Sequence, residues 1–338
     1  MEILLFSCFI AAFLLVVFLV PKWIKKAKAM GLVGKDMNKL GKPQVAEAGG
    51  ITVIVGAVLG IMLYIFIMTF YFATEFALIQ IYAVMTTILL AGFVGFIDDI
   101  LGWKVGIKHS TKVLSTIPIA IPLAVVNAGS SVMALPFIGL VDFGLFFPLL
   151  IIPLGIIGAT NGYNMLAGYN GLEAGLGVIM LSALGLIAWL SGTAWVAMIS
   201  FIVVFALLGF LWYNKVPAKV FPGDSMTYSI GAMIACVAIL GNMEKYALIL
   251  FIPYIFDALM FIRFRFVDGL KGVEAFAKVG PDGSLSMPNR KVYDFTHLAL
   301  KVMGKMKKKV YERDVVLFVL GSEAALSVAV FFIWFLEI

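Results

Sequence analysis

Four short stretches of this chain set carboxylates, amides and glycines against apolar segments, where such groups are costly unless they serve a purpose. The first is Gly92-Phe93-Val94-Gly95-Phe96-Ile97-Asp98-Asp99. Adjacent carboxylates that close an apolar run repel each other and oppose the dipole of the helix they end, so they ask for a cation. Lys104, Lys108 and Lys112 follow within fourteen residues of Asp98, and a divalent metal would meet the same need. A solvated helix end is the plain alternative.

The second stretch runs from Thr160 to Glu173 and holds Asn161, Asn164 and Asn170 among closely spaced glycines. Amide side chains both donate and accept, which suits a nucleobase, sugar hydroxyls or a metal. A Gly/Asn turn between helices would explain part of it, but Asn164 falls where helix should still be continuous. The third is Phe221-Pro222-Gly223-Asp224-Ser225. Asp224 is either a helix cap or a hard-cation ligand, since magnesium takes one or two carboxylates together with phosphate oxygens. The fourth extends from Asp257 to Lys301. Asp257 lies deep in an apolar run and can face Arg263 or Arg265 one to two turns on, while Arg290 and His297 follow in a polar segment. Arginine forks recognise diphosphates well. Lys305, Lys307, Lys308 and Lys309 read more simply as topological markers.

These stretches must be positioned by elements that live in lipid. Hydrophobic residues make up 63% of the 338 and charged residues only 13%, about half the usual charged share of a soluble domain. The apolar runs are about 20 residues long without strand-like alternation, so the spanning elements are helices. Ten spans are expected near 3–21, 48–72, 78–97, 112–128, 141–160, 173–191, 193–212, 226–242, 246–262 and 314–336. With that count, 24 of the 25 Lys and Arg residues fall on one side, and Lys245 alone falls on the other. The positive-inside rule then makes that side cytoplasmic, puts both termini outside and places all four polar stretches on the cytoplasmic face. The expected fold is an all-α polytopic membrane protein, one transmembrane domain over 1–338 with a longer cytoplasmic loop at 263–313. The external stretch 128–141 reads as a small hairpin. Cys8 and Cys236 lie inside apolar spans and offer neither a disulfide framework nor a metal cluster. The first span has no basic segment before it and no small-residue cleavage site, so it reads as a retained helix. The basic balance is explained by topology and anionic headgroups, and no nucleic-acid partner is expected.

In this order the motifs resemble the polyprenyl-phosphate N-acetylhexosamine-1-phosphate transferases, from Lys42-Pro43 and Glu47-Ala48-Gly49-Gly50 through His297. Asn161 to Gly175 looks like the Asn-x-x-Asn-x-Leu-Ala-Gly-x-Asn-Gly-Leu-Glu block of the eukaryotic and archaeal branch. Bacterial members usually carry aspartates where this chain has Ala167 and Asn170. Phe221-Pro222-Gly223-Asp224 is similar to the shared Phe-x-Gly-Asp motif, and Asp98-Asp99 with Lys112 to the family's Asp-Asp and Lys pair. The last polar loop departs from both branches. It has one histidine, His297, in place of a His-x-His or Arg-His-Arg cluster, and Asn289-Arg290 where Asp-Arg is common.

The resemblance implies that a polyprenyl phosphate of dolichyl type attacks the β-phosphorus of UDP-N-acetylglucosamine, giving polyprenyl-diphosphate-GlcNAc and UMP. UDP-GalNAc or a modified GlcNAc would need few changes. It implies Mg2+, with Mn2+ as a substitute, held by Asn164 and Asp224. Asp98, Asp99 and Lys112 would be catalytic: Asp98 orients or deprotonates the lipid phosphate, Asp99 fixes Lys112 or a metal-bound water, and Lys112 neutralises phosphate charge. Asn161, Asn170, Arg263, Arg265, Arg290 and His297 would bind substrate, with Asn170 on the uracil and His297 or its loop on the sugar. A lipid phosphate whose second pKa is near 6 is already largely a dianion at neutral pH, which favours direct attack over an aspartyl intermediate. The expected setting is the plasma membrane of a prokaryote, archaeal by branch, and homodimers occur among similar proteins. The rival class is a secondary transporter or channel, which would share the many spans and an intramembrane Asp257. A non-catalytic lipid-binding scaffold would not need Asp98, Asp99, Asn164 and Asp224 together.

Overall fold

In a bilayer every backbone polar group needs an internal partner, and this chain meets that demand with helices. The computed structural model describes residues 3–74, 76–105, 109–135, 138–264 and 274–337. Thirteen helices follow in order: α1 (Phe6–Ala29), α2 (Gly50–Ile67), α3 (Leu78–Val105), α4 (His109–Ser115), α5 (Ile121–Val125), α6 (Ile152–Met165), α7 (Leu172–Leu190), α8 (Ala194–Asn214), α9 (Gly223–Leu240), α10 (Glu244–Leu250), α11 (Ile252–Arg263), α12 (Phe295–Met306) and α13 (Glu312–Glu337). Among the described residues, strands are confined to three two-stranded antiparallel hairpins: β1 (Val33–Lys35) with β2 (Gln44–Ala46), β3 (Val132–Leu135) with β4 (Gly139–Asp142), and β5 (Lys278–Val279) with β6 (Leu285–Ser286). The second of these is the hairpin expected in the stretch 128–141.

Seven helices among the described residues are long and apolar enough to cross a membrane, and the count reaches eight if α10 and α11 form one broken span. This is a polytopic helical membrane protein, and among the described residues not all of the ten expected spans form one long continuous helix. The physical reason is proline, which removes a ladder donor and clashes with the preceding turn. Pro118 and Pro122 divide the expected span at 112–128 into α4, a 3-10 turn over Ile117–Ala120 and α5. Pro148 sits in a π-helical turn over Phe147–Ile151 that leads into Pro153 at the start of α6, in place of a plain span from 141. The pair α10 and α11 is kinked by 59°, with Pro253 in the first turn of α11, where its missing N–H costs little.

Helix α9 is the hub. It is buried along nearly its whole length and packs against α2, α3, α6, α7 and α8. The C-terminal ends of α1, α3, α6 and α8 and the N-terminal ends of α2, α7, α9 and α13 gather at one end of the bundle. At the opposite end Lys245 pairs with Glu337, and the Trp334 indole donates to Ser191 Oγ at 3.0 Å.

Candidate active site

The site begins with a glycine. A Cβ on Gly95 would come within 2.3 Å of the Asp224 carbonyl oxygen and 2.5 Å of the Ser225 nitrogen, so α3 rests directly on the first turn of α9. One turn further along α3, the Asp99 carboxylate reaches the open end of α9. Its Oδ1 accepts from the Asp224 N–H at 2.6 Å and its Oδ2 from the Ser225 N–H at 3.2 Å. Helix α9 has no side-chain cap of its own, and Asp99 supplies one from a neighbouring helix, satisfying N–H groups that would otherwise lack partners. Gly223 makes room for this. Its φ is +70°, and a Cβ there would lie 2.4 Å from Asp99 Oδ2.

With its backbone thus held, Asp224 turns its side chain to Lys112. The Lys112 ammonium lies 2.6 Å from Asp98 Oδ2 and 3.1 Å from Asp224 Oδ2. Asp98 is buried, and Lys112 is its ion-pair partner. Thus Asp98, rather than Asp99, is the carboxylate that meets Lys112. Asn164 joins through Thr227, one turn beyond Asp224 on α9, whose hydroxyl donates to Asn164 Oδ1 at 2.7 Å. Side chains from α3, α4, α6 and α9 therefore converge.

Beside them lies a cavity of about 210 Å³ lined by Asp36, Glu47, Asn164, Asn170, Glu173, Phe221, Asp224, Thr227 and Phe276, among others. Its carboxylates outnumber the single lysine on its wall, Lys35. Glu47 reaches it because the chain after β2 runs beside the Phe-Pro-Gly loop, with Gly49 N–H donating to Phe221 O at 2.9 Å and Gly50 N–H to Pro222 O at 2.8 Å. Burial pushes the Glu47 carboxyl up to about 7, the Ala48 N–H opposing and the nearby Asp224 and Glu173 carboxylates adding to the rise.

Asn170 is fixed on the cavity wall from two directions. Its amide Nδ2 donates to Asp36 Oδ2 at 2.8 Å, and its backbone N–H donates to Glu312 Oε1 at 2.9 Å. Glu312 is also ion-paired with Lys39, and Asn38 donates to the Gly168 carbonyl at 2.9 Å. The β1–β2 hairpin and the first residue of α13 thus brace the amide-rich loop. Sequence reasoning passed over Asp36, Glu47, Glu173 and Glu312. Of these, Glu47, beside Gly49 and Gly50, and Glu173, which closes the amide-rich block, stood in quoted motifs without a role; Asp36 and Glu312 sit in segments that read as an ordinary polar loop and a helix start.

Other expected residues lie outside this cluster. Asn161 donates to Thr116 Oγ1 and to the Ile157 carbonyl, each at 2.9 Å, and does not line the cavity. His297 is buried, with Nε2 3.1 Å from the Ala275 carbonyl and Nδ1 3.2 Å from Asp294 Oδ2. It anchors the segment carrying Phe276 and does not itself face the cavity. Asp257, expected opposite Arg263 or Arg265, accepts from the Phe295 N–H and ties α11 to α12. Arg263 ends α11 at an exposed position and Arg290 is exposed on the last loop. Lys108 and Arg265 lie outside the described residues.

The donor set suits a hard cation. No group of three or more His, Cys, Asp or Glu side chains forms a metal cage among the described residues, but magnesium asks less of its protein, one or two oxygen ligands with water and phosphate completing the shell. Asp224 and Asn164 provide such oxygens, and Asp98, joined to Asp224 through Lys112, stands beside them.

Comparison with known proteins accords with this arrangement. The glycosyl transferase family 4 profile matches residues 81–242, which hold the Asp-Asp, amide-rich and Phe-Pro-Gly-Asp stretches. A Saccharolobus solfataricus protein, provisionally named UDP-N-acetylglucosamine–dolichyl-phosphate N-acetylglucosaminephosphotransferase, is 36% identical over 90% of this chain and 89% of its own length. Its namesake from Sulfolobus acidocaldarius is 35% identical over 91% and 89%. A phospho-N-acetylmuramoyl-pentapeptide-transferase of Halalkalibacterium halodurans is 30% identical over 78% and 82%. Likeness at this level, spread over nearly the whole length, assigns the chain to glycosyl transferase family 4.

Proposed function

We propose that this chain transfers N-acetylglucosamine-1-phosphate from UDP-GlcNAc to a dolichyl-type polyprenyl phosphate at the cytoplasmic face of the plasma membrane. The products are polyprenyl-diphosphate-GlcNAc and UMP. The observation that carries the reading is Lys112 held between Asp98 and Asp224 beside a cavity lined by Asn164, Asn170 and Asp224. In this reaction a lipid-phosphate oxygen forms a bond to the β-phosphorus, and the bond from that phosphorus to the bridging oxygen breaks, the oxygen leaving with UMP. Such transfer depends on positioning and charge neutralisation more than on covalent help.

The residues divide that work. Lys112 neutralises phosphate charge, and Asp98 holds the ammonium in place. Asp99 fixes the start of α9 and so the position of Asp224. Asn170, held by Asp36 and Glu312, reads the uracil, with Phe221 and Phe276 as apolar walls. Asp224 and Asn164 would hold Mg2+, or Mn2+ in its place, which when bound supplies positive charge to the diphosphate. An acidic cavity repels a bare diphosphate, so a cation is the simplest way for this one to receive a nucleotide sugar. The gathering of Lys and Arg residues on one side of the expected spans supports a cytoplasmic setting for this end of the bundle.

The transporter reading is weaker, because it asks for a mid-bilayer site at matched positions of two repeats, whereas the carboxylates and amides here gather at one end. Purified protein supplied with UDP-GlcNAc, a short polyprenyl phosphate and magnesium should release UMP. Turnover of both Asp224→Ala and Asp98→Asn within about threefold of wild type, less than about 1 kcal/mol of barrier, would sink the assignment.

A further inference from the structure

A second groove lies away from this site, between the β5–β6 hairpin and the junction of α12 with α13. It encloses about 430 Å³, and its wall includes Lys301, Lys305, Lys307, Lys308 and Lys309, with Ser284 and Ser286 across from them. Two of the lysines are engaged: Lys307 pairs with Asp314, and Lys309 with Asp282 at 2.6 Å. Lys301, Lys305 and Lys308 are exposed and have no ion-pair partner among the described residues. Like charges crowded into one groove repel unless a counter-ion joins them.

The height of the groove is fixed by the chain. Val310 lines it, and two residues later Glu312 opens α13, an apolar helix long enough to cross a membrane. The ammonium groups therefore sit at the headgroup level on the same end of the bundle as the active site. Next to the lining residues in the chain, Met306 is 73% exposed and Tyr311 43%, and Leu317, further into α13, is 55% exposed. Cations followed in the chain by exposed apolar and aromatic groups at the start of a spanning helix match the chemistry of a phospholipid, with its phosphate and its acyl chains.

We infer that this groove is a binding site for the phosphate headgroup of an anionic membrane phospholipid, with Lys301, Lys305 and Lys308 as its cationic contacts. It is independent of the transferase reading, because the groove and the catalytic cavity share no lining residue. Gly304 offers a clean probe, as a Cβ there meets nothing within 4 Å.

The test is native mass spectrometry of the full chain in detergent, titrated with phosphatidylglycerol. Gly304→Glu, and separately the triple change Lys301→Ser, Lys305→Ser and Lys308→Ser, should each weaken the lipid adduct at least tenfold, while Gly304→Gln keeps it. A triple change of Lys25, Lys26 and Lys28 to Ser, at the end of α1, should also keep it. Equal weakening by the α1 triple would mean diffuse interfacial charge and overturn the site. Loss of the adduct to equimolar inorganic phosphate would likewise overturn it, as a free-phosphate site. Retention of the adduct in both groove variants would do so too.

Discussion

The Asp99 carboxylate accepts the backbone N–H of Asp224 at 2.6 Å, so one acid of the site holds another by its main chain. An Asp-Asp pair at the end of α3 is thus divided in labour, Asp98 toward Lys112 and Asp99 toward the start of α9. Losing a helix cap costs about 1 kcal/mol, and here it also frees the segment that carries Asp224. Asp99→Ala is expected to lower the melting temperature and turnover together. Asp224→Asn, which leaves the cap intact, should lower turnover at least about a hundredfold with little thermal change, in the range of removing one electrostatic contact to a transition state. Thermal melts and UMP release on the same preparations check both. An Asp99→Ala protein that melts like wild type would refute the capping role.

Lys112 bridges Asp98 and Asp224 from two helices. Its removal leaves the buried Asp98 carboxylate uncompensated, an arrangement that costs about 3 kcal/mol or more when both partners are fully buried. The 29% exposure of the lysine reduces that cost through solvent screening. Lys112→Met should therefore be both inactive and destabilised, and adding Asp98→Asn should restore the melting temperature without restoring turnover. A double variant no more stable than the single one would argue against the ion pair.

Much of this was legible in the sequence. Apolar run length gave the helical membrane class, and the charge bias foreshadowed a bundle with its polar groups at one end. The motif residues Asp98, Asn164 and Asp224, far apart in the chain, meet because helix ends are where a membrane protein can place carboxylates. The span count was less legible, since hydropathy sums over a window and does not register how Pro118, Pro122 and Pro148 break a ladder. The division between Asp98 and Asp99 could not be read either, because it depends on Gly95 letting two helices touch. His297 misled for a related reason. A lone histidine in a polar loop looks like a ligand, whereas here its ring nitrogens face Ala275 and Asp294.

The brace on Asn170 predicts a binding effect rather than a chemical one. Asp36 holds the amide and Glu312 holds the backbone, so neither need touch the reacting phosphorus. Asp36→Ala and Glu312→Gln should raise KM for UDP-GlcNAc about tenfold, roughly 1.4 kcal/mol, with kcat nearly unchanged. Asp36→Ala combined with Asn170→Ala should cost little more than Asn170→Ala alone, because both act through one amide. Steady-state kinetics of the double variant decides, and fully additive losses would separate Asp36 from Asn170.

Metal dependence gives a further check on the cavity. Chelation with EDTA should abolish UMP release, and Mg2+ or Mn2+ should restore it. The proposed ligands predict that Asn164→Ala raises the magnesium concentration for half-maximal activity at least about tenfold, as loss of a ligand oxygen should. His297→Ala should leave that concentration unchanged, because the ring faces Ala275 and Asp294. A magnesium requirement equal in wild type and Asn164→Ala would remove Asn164 from the metal.

Glu47 carries a pH signature whose sign follows from its burial. Its carboxyl titrates near 7 in the folded chain, against 4.5 for the unperturbed group, so between those values the folded state holds a proton that the unfolded state has released. Stability then falls as pH rises from about 4.5 to 7 and levels off above that. Glu47→Gln removes the term, so its melting temperature relative to wild type should climb between pH 5 and pH 8. The same ionisation adds a negative charge to a cavity meant for a diphosphate, so KM for UDP-GlcNAc at fixed magnesium should rise above pH 7 in wild type and stay flatter in Glu47→Gln. Parallel melting curves for the two proteins across that range would show that Glu47 does not titrate there, and the kinetic expectation would fall with it.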